Sequence, residues 1–151
     1  MMKRTALVVV CIAVASCASL QQRRYTAAAE DLIEWINGGR SAELASASQT
    51  PFLLDREIVI LEEDIATFWD RIIQAGFRIP PPRFIEASAV TAASFEEFGS
   101  TMEVQTFFEK YVSERAYVVR IETADFAVRF LVDRIGVGRL GILGMKGPEP
   151  L

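Results

Sequence analysis

The sequence has no histidine, and its only two cysteines are Cys11 and Cys17 among 151 residues. Histidine is the commonest general base and metal ligand in proteins, so its absence excludes serine–histidine triads and the ordinary zinc and two-histidine iron sites. Because both cysteines lie in the first 17 residues, the rest of the chain has no disulfide. The fold must therefore be held by its hydrophobic core, and we expect neither a metal nor another cofactor.

Basic residues are also few, with 16 Lys and Arg against 20 Asp and Glu and a formal net charge of −4. A nucleic-acid partner would need basic residues concentrated on one surface, so we expect no nucleic-acid binding. Hydrophobic residues make up 51% of the sequence, which is ample for one core. The length matches one domain, since domains usually have about 100–200 residues.

Residues 1–16 have the pattern of a secretory signal peptide. Lys3 and Arg4 precede an unbroken apolar run over residues 6–15. That run is too short to cross a bilayer, because a membrane-spanning helix needs about 20 apolar residues. Residues 14–17, Val-Ala-Ser-Cys, resemble the bacterial lipobox, in which a cysteine follows an aliphatic residue and two small ones.

The lipobox resemblance implies that the Cys17 thiol carries diacylglycerol, that the chain is cut just before it, and that its amine is acylated, for example with palmitate. Two or three acyl chains make attachment effectively permanent, at about 0.8 kcal/mol per buried methylene. Ala18 stands where an Asp would retain the protein at the inner membrane, which favours the outer membrane, facing the periplasm or the cell surface. The open alternative is an ordinary signal peptide with a chance cysteine near its cleavage site.

Residues 17–25 are then an acylated tether that binds the protein to the bacterial envelope membrane. Residues 26–148 predict an α+β domain. Apolar residues at helical spacing predict helices over residues 27–36, 41–46, 62–75 and 94–112, the last broken near residues 99–100. Alternating or continuous apolar runs predict strands over residues 51–54, 58–61, 84–90, 117–122, 126–133 and 139–145.

The two best strands alternate between apolar and charged residues. One face carries Tyr117, Val119, Ile121, Phe126, Val128, Phe130 and Val132, and we expect it to lie against the helices. Such a face is either core or the wall of an apolar pocket, and both interpretations stay open. The residues predicted to line a pocket are Trp35, Asp55, Trp69, Tyr117, Phe126 and Phe130.

This order of elements resembles the nuclear transport factor 2-like superfamily over residues 26–148. The resemblance also rests on residues 51–55, Pro-Phe-Leu-Leu-Asp, after two helices, and on residues 144–148, Gly-Met-Lys-Gly-Pro, at the end. It implies a curved antiparallel sheet wrapped around the N-terminal helices, a cone with a cavity at its wide end. An α+β fold of different topology is the alternative.

Two functions stay open, and the lipobox together with an inner strand face that lacks convergent ionisable groups favours the first. The favoured one is a non-enzymatic binding or interaction module with an apolar pocket and a small apolar ligand. The alternative is a small-molecule isomerase, dehydratase or hydrolase that uses a buried carboxylate. Asp55 falls near the position implied for that base, although its setting before Arg56 and Glu57 is typical of a solvated turn.

A second copy of the chain is another partner that the resemblance implies, because members of the superfamily often form dimers through the outer face of the sheet. That face carries Val118, Ala127 and Leu131 between charged residues. We therefore expect a homodimer that buries Val118 and Leu131.

Overall fold

The computed structural model describes residues 23–135 and 139–151. The signal peptide, Cys17 and the tether up to residue 22 lie outside the described residues. Helix α1 covers residues 23–37, so residues 23–25 of the predicted tether are helical. The other helices are α2 (Ser41–Ala47), α3 (Glu62–Gln74), a 3₁₀ helix (Ser94–Glu97) and α4 (Met102–Tyr111). The strands are β1 (Ser48–Leu54), β2 (Glu57–Val59), β3 (Phe84–Ala89), β4 (Tyr117–Glu122), β5 (Phe126–Ile135) and β6 (Arg139–Pro150).

The strands form one six-stranded sheet in the order β2-β1-β6-β5-β4-β3. The predicted α+β class, the early hairpin of β1 and β2, and the antiparallel order of β4, β5 and β6 are confirmed. The prediction of a wholly antiparallel sheet is wrong, because β1 and β6 run parallel. Side-chain alternation determines which face a residue occupies, but it carries no information about the direction of a neighbouring strand.

The main core lies between helices α1, α2 and α3 and one face of the sheet. Leu32, Ile36, Leu44 and Trp69 are fully buried there. From the sheet, Val119, Ile121, Val128, Phe130 and Val132 face them, and Tyr117 and Phe126 pack at the margin. The predicted inner face of β4 and β5 is therefore confirmed.

The opposite face of the sheet is covered by the 3₁₀ helix and α4. Val118 and Leu131 are buried in a second apolar cluster under Phe98, Phe107 and Phe108. The burial of Val118 and Leu131 comes from α4 of the same chain and requires no second copy. A homodimer through this face would have to use the exposed side of α4 or the polar part of the sheet.

The chain between residues 90 and 112 is interrupted as the sequence predicts. The 3₁₀ helix ends at Glu97, and α4 begins at Met102 with Thr101 as its N-cap, whose hydroxyl accepts a hydrogen bond from Val104 N at 3.3 Å. Ser41 and Ser94 stand at the starts of two predicted helices, where serine is expected to be the N-cap. Neither is one: the Ser94 hydroxyl accepts a hydrogen bond from Thr91 N, and Ser41 is already helical. In the part of the chain that the structure describes, no helix combines the length and apolar character needed to span a bilayer.

Strand β6 continues to Pro150 instead of ending near Met145 as predicted. Its pairing with β5 shifts register twice, between Ala127 and Arg129 and between Leu131 and Val132. An extra residue of this kind bends a strand and increases its twist. The extension brings Gly147 and Pro148 alongside the C-terminal end of α3.

Candidate functional site

An open cleft of about 310 Å³ lies between the C-terminal end of α3 and the last part of β6. We call it the apolar cleft. Its lining consists of Phe68, Ile72, Ala75, Gly76, Phe77, Met145, Gly147 and Pro148. None of these side chains can ionise or donate a hydrogen bond, so the cleft offers contact area to an apolar group and no anchor for a charge.

Two glycines shape the walls of the apolar cleft. Gly76 has φ +80°, a left-handed conformation that ends α3 and turns the chain toward Phe77. The Phe77 ring packs on Phe126 with ring centres 5.9 Å apart. Gly147 has φ +98° and forms the opposite rim. The connection after Phe77 is held by Asn37, whose amide donates to Ile79 O and accepts from Ile79 N, both at 2.8 Å.

Asp55 lies beside the apolar cleft and does not line it. It is exposed in the turn between β1 and β2 and has φ +53°. Its carboxylate accepts a hydrogen bond from Gly147 N at 2.9 Å, and its own amide donates to Met145 O at 2.8 Å. Asp55 therefore joins the β1–β2 hairpin to β6, which accounts for an acidic residue at this turn.

The six residues predicted to line one pocket do not line a common one. Trp69 and Phe130 are fully buried in the main core, where the Trp69 indole donates to the Ser48 hydroxyl at 2.9 Å. Phe126 packs on Phe77 and is not part of the cleft lining, and Tyr117 stacks on Tyr25 with ring centres 3.5 Å apart. The remaining residue, Trp35, lines a separate groove.

That groove, which we call the Trp35 groove, has a volume of about 560 Å³. It lies between α1, α2 and the start of β6. Its lining consists of Asp31, Trp35, Ala42, Glu43, Ser46, Ala47, Arg139 and Leu140. Asp31 and Trp35 are four residues apart on α1, as Ala42 and Ser46 are on α2, and this spacing puts each pair on one side of its helix.

Glu43 at the edge of the Trp35 groove is held by Arg40. The Arg40 Nε donates to the Glu43 carboxylate at 2.9 Å, and Arg40 also contacts Glu34 at 3.2 Å. This hydrogen bond lowers the pKa of Glu43 and raises that of Arg40. Glu43 is therefore a fixed, ionised carboxylate at neutral pH.

A cluster of ion pairs lies on the outer face of the sheet beyond α4. Arg129 pairs with Glu149 and, at 3.7 Å, with Glu97, and Lys146 contacts Glu149 at 3.2 Å. Burial raises the pKa of Glu149, but hydrogen bonds from Lys146 and Arg129 outweigh it and hold that pKa below its usual value. Arg120, directly opposite Arg129 on β4, pairs with Glu122 at 2.8 Å. The carboxylates compensate like charges that would otherwise repel.

Acid–base chemistry of the predicted alternative kind needs a carboxyl group removed from water. Among residues 23–133 and 139–151, the buried polar residues are Ser94 and Thr123, and no Asp or Glu is among them. The same residues contain no group of three or more acidic or cysteine side chains placed to hold a metal ion.

The sequence patterns predicted neither the apolar cleft nor the Trp35 groove as a separate site. Phe68 and Ile72 belong to the apolar face of the predicted helix over residues 62–75, but in the structure they are half-buried and line the apolar cleft. The sequence feature that could have indicated the apolar cleft is a pair of glycines, Gly76 and Gly147, each next to an apolar residue or a proline.

Comparison of the chain with models of protein families gave no match, and comparisons with curated proteins and with solved structures gave none either.

Proposed function

We propose that this protein is a lipid-anchored binding module of the bacterial envelope, attached through Cys17, whose apolar cleft takes a small apolar ligand. The observation that carries the binding part is the lining of the cleft. Every lining residue is apolar or glycine, and Phe68, Ile72 and Phe77 are half-buried, so each keeps part of its apolar surface exposed. Burial of apolar surface is the main source of affinity in such sites, at about 25 cal/mol per Å².

The cone-shaped fold of the nuclear transport factor 2-like superfamily is part of the same proposal. It is supported by the element order, by helices α1 to α3 on one face of a single sheet, and by the two register shifts in β5 and β6, which bend strands. The apolar cleft then corresponds to one mouth of the cone.

Filling the apolar cleft with a larger side chain is expected to prevent binding. Ala75 is exposed and lines the cleft, so Ala75→Phe places a ring in it without disturbing the core. With the neutral fluorescent probe N-phenyl-1-naphthylamine, we expect affinity to fall at least about tenfold, which corresponds to about 1.4 kcal/mol. The measurement is a fluorescence titration of the purified protein.

The matched control is Gln74→Phe, which adds the same ring one position earlier, where the residue is exposed and outside the lining. It should bind the probe as the unmodified protein does. Equal binding by all three proteins, or none by the unmodified one, would refute the ligand part of the proposal.

The anchor is tested by replacing Cys17 with serine in the full chain, expressed in a Gram-negative host. We expect Cys17→Ser to lose incorporation of labelled palmitate and to keep residues 1–16, because the missing thiol removes the site of diacylglycerol attachment and blocks cleavage. Cys11→Ser is the matched control and should be acylated normally. If Cys17→Ser is still acylated and membrane-bound, the anchor is elsewhere or absent.

A further inference from the structure

The Trp35 groove carries one acidic and one basic side chain that have no partner among the residues that the structure describes. Asp31 lies on α1, and Arg139 begins β6. Neither has an opposite charge within 4.0 Å or a side-chain hydrogen bond among the described residues. Both groups line one groove, yet they do not pair with each other. The groove thus presents separated charges of opposite sign.

An apolar surface accompanies these two charges. Trp35 and Leu140 are half-buried, so each presents part of its side chain to the groove while the rest packs against the core. The α2 wall of the groove is made of small residues, Ala42, Ser46 and Ala47. Glu43, fixed by Arg40, adds a second carboxylate at the α2 edge.

We propose that the Trp35 groove binds a zwitterionic ligand with an apolar side chain, an amino acid or the two ends of a short peptide. The ligand ammonium group pairs with Asp31, its carboxylate pairs with Arg139, and its side chain packs on Trp35 and Leu140. Arginine suits this role because its planar guanidinium can donate two parallel hydrogen bonds to a carboxylate. A neutral sugar could use the tryptophan ring but would leave both charges without a counter-ion.

This inference is independent of the apolar cleft and of the lipid anchor, because it uses different residues. The cleft variant Ala75→Phe should therefore leave binding in the Trp35 groove unchanged. A negative result for one proposal therefore does not contradict the other.

The chain contains two tryptophans, and Trp69 is fully buried. A change in tryptophan emission on ligand addition therefore reports mainly on Trp35. We expect leucyl-leucine to change the emission, and N-acetylation or C-terminal amidation of the dipeptide each to weaken binding about tenfold, as expected for loss of one charge-assisted hydrogen bond.

Substitutions in the protein should match these changes in the peptide. Asp31→Asn should weaken binding of leucyl-leucine, and N-acetylation of the dipeptide should then cause no further loss. Arg139→Gln should also weaken binding, and C-terminal amidation should then cause no further loss. This pairing is the logic of a double-mutant cycle and identifies which charge meets which. Glu30→Gln and Arg83→Gln remove exposed charges outside the groove and should have no effect. In Trp35→Phe the emission change should disappear while the Trp69 signal remains.

Titrations with free leucine and with trileucine distinguish an amino-acid ligand from a peptide ligand. Whichever of leucine, leucyl-leucine and trileucine binds most tightly identifies the distance between ammonium and carboxylate that fits the groove. Binding of any of the three as a zwitterion supports the proposal. Equal binding of the blocked and unblocked dipeptides would overturn it. So would binding that Asp31→Asn and Arg139→Gln leave unchanged, or an emission change produced by glucose and by none of the peptides.

Discussion

Replacement of Gly144 by alanine is expected to destabilise the protein by about 3 kcal/mol, the upper end of the range for inserting an atom into a packed interior. Gly144 lies on β6 directly opposite Leu53 of β1, in a parallel pair that is flanked by β2 and β5 within the sheet. A Cβ at this position would lie 2.6 Å from Leu53 O and 2.9 Å from Leu53 Cβ. The nearest atom belongs to the backbone of a buried strand, so β1 and β6 would have to separate.

The matched control for Gly144→Ala is Gly99→Ala. A Cβ at Gly99 would also be too close to its neighbour, at 2.8 Å, but that neighbour is Cγ in the side chain of the exposed Arg56, which can move away. We expect Gly99→Ala to lower the free energy of unfolding by less than about 1 kcal/mol, within the range of surface substitutions that disturb no packing. Urea denaturation followed by circular dichroism measures both. Equal stability of the two variants would show that β1 and β6 do not approach as closely as described.

Replacement of Trp69 by alanine is expected to cost about 4 kcal/mol, within the range measured for large aromatic residues in cores. Trp69 is fully buried and packs against Phe68 and Phe52, with ring centres 4.9 and 6.2 Å away. The truncation leaves a cavity and removes the only donor that the Ser48 hydroxyl accepts from among the described residues. Domains are stable by about 5–15 kcal/mol, so this loss is a large fraction of the total.

Trp69→Phe and Ser48→Ala separate packing from hydrogen bonding. Ser48→Ala leaves a buried indole N–H without an acceptor, which costs about 1–3 kcal/mol. In the double variant the costs should be less than additive, because both substitutions remove the same hydrogen bond. The free energy of unfolding and the near-ultraviolet circular dichroism of Trp69 are the measurements. If Trp69→Ala leaves stability unchanged and alters only probe binding, Trp69 lines a pocket and is not part of the core.

Much of the fold could be predicted from local patterns. The apolar face of α3 and the alternation of β4 and β5 are properties of consecutive residues, and hydrophobic burial needs nothing else to place them inside. The glycines after α1 and α3 end those helices because glycine adopts the left-handed conformation at little cost. The capping predictions failed at Ser41, which is itself the first residue of α2, and at Ser94, whose hydroxyl accepts a hydrogen bond from Thr91 N.

The candidate sites could not be predicted in the same way. The apolar cleft joins Phe68 and Ile72 to Gly147 and Pro148, more than seventy residues apart along the chain. The Trp35 groove joins α1 and α2 to the first residues of β6. The inner faces of the strands filled with core instead of forming a pocket, because α1, α2 and α3 pack directly on them.

The sequence by itself determined that no disulfide and no histidine chemistry support this domain, and it alone carries the proposal of a lipid anchor at Cys17. It also determined which residues of each element face inward, because solvent exclusion acts on side chains in proportion to their apolar area. The tertiary structure decided that β1 pairs parallel to β6, that α4 covers Val118 and Leu131, and that Asp31 and Arg139 share one groove. Those outcomes depend on contacts between segments distant in sequence, and local periodicity does not encode them.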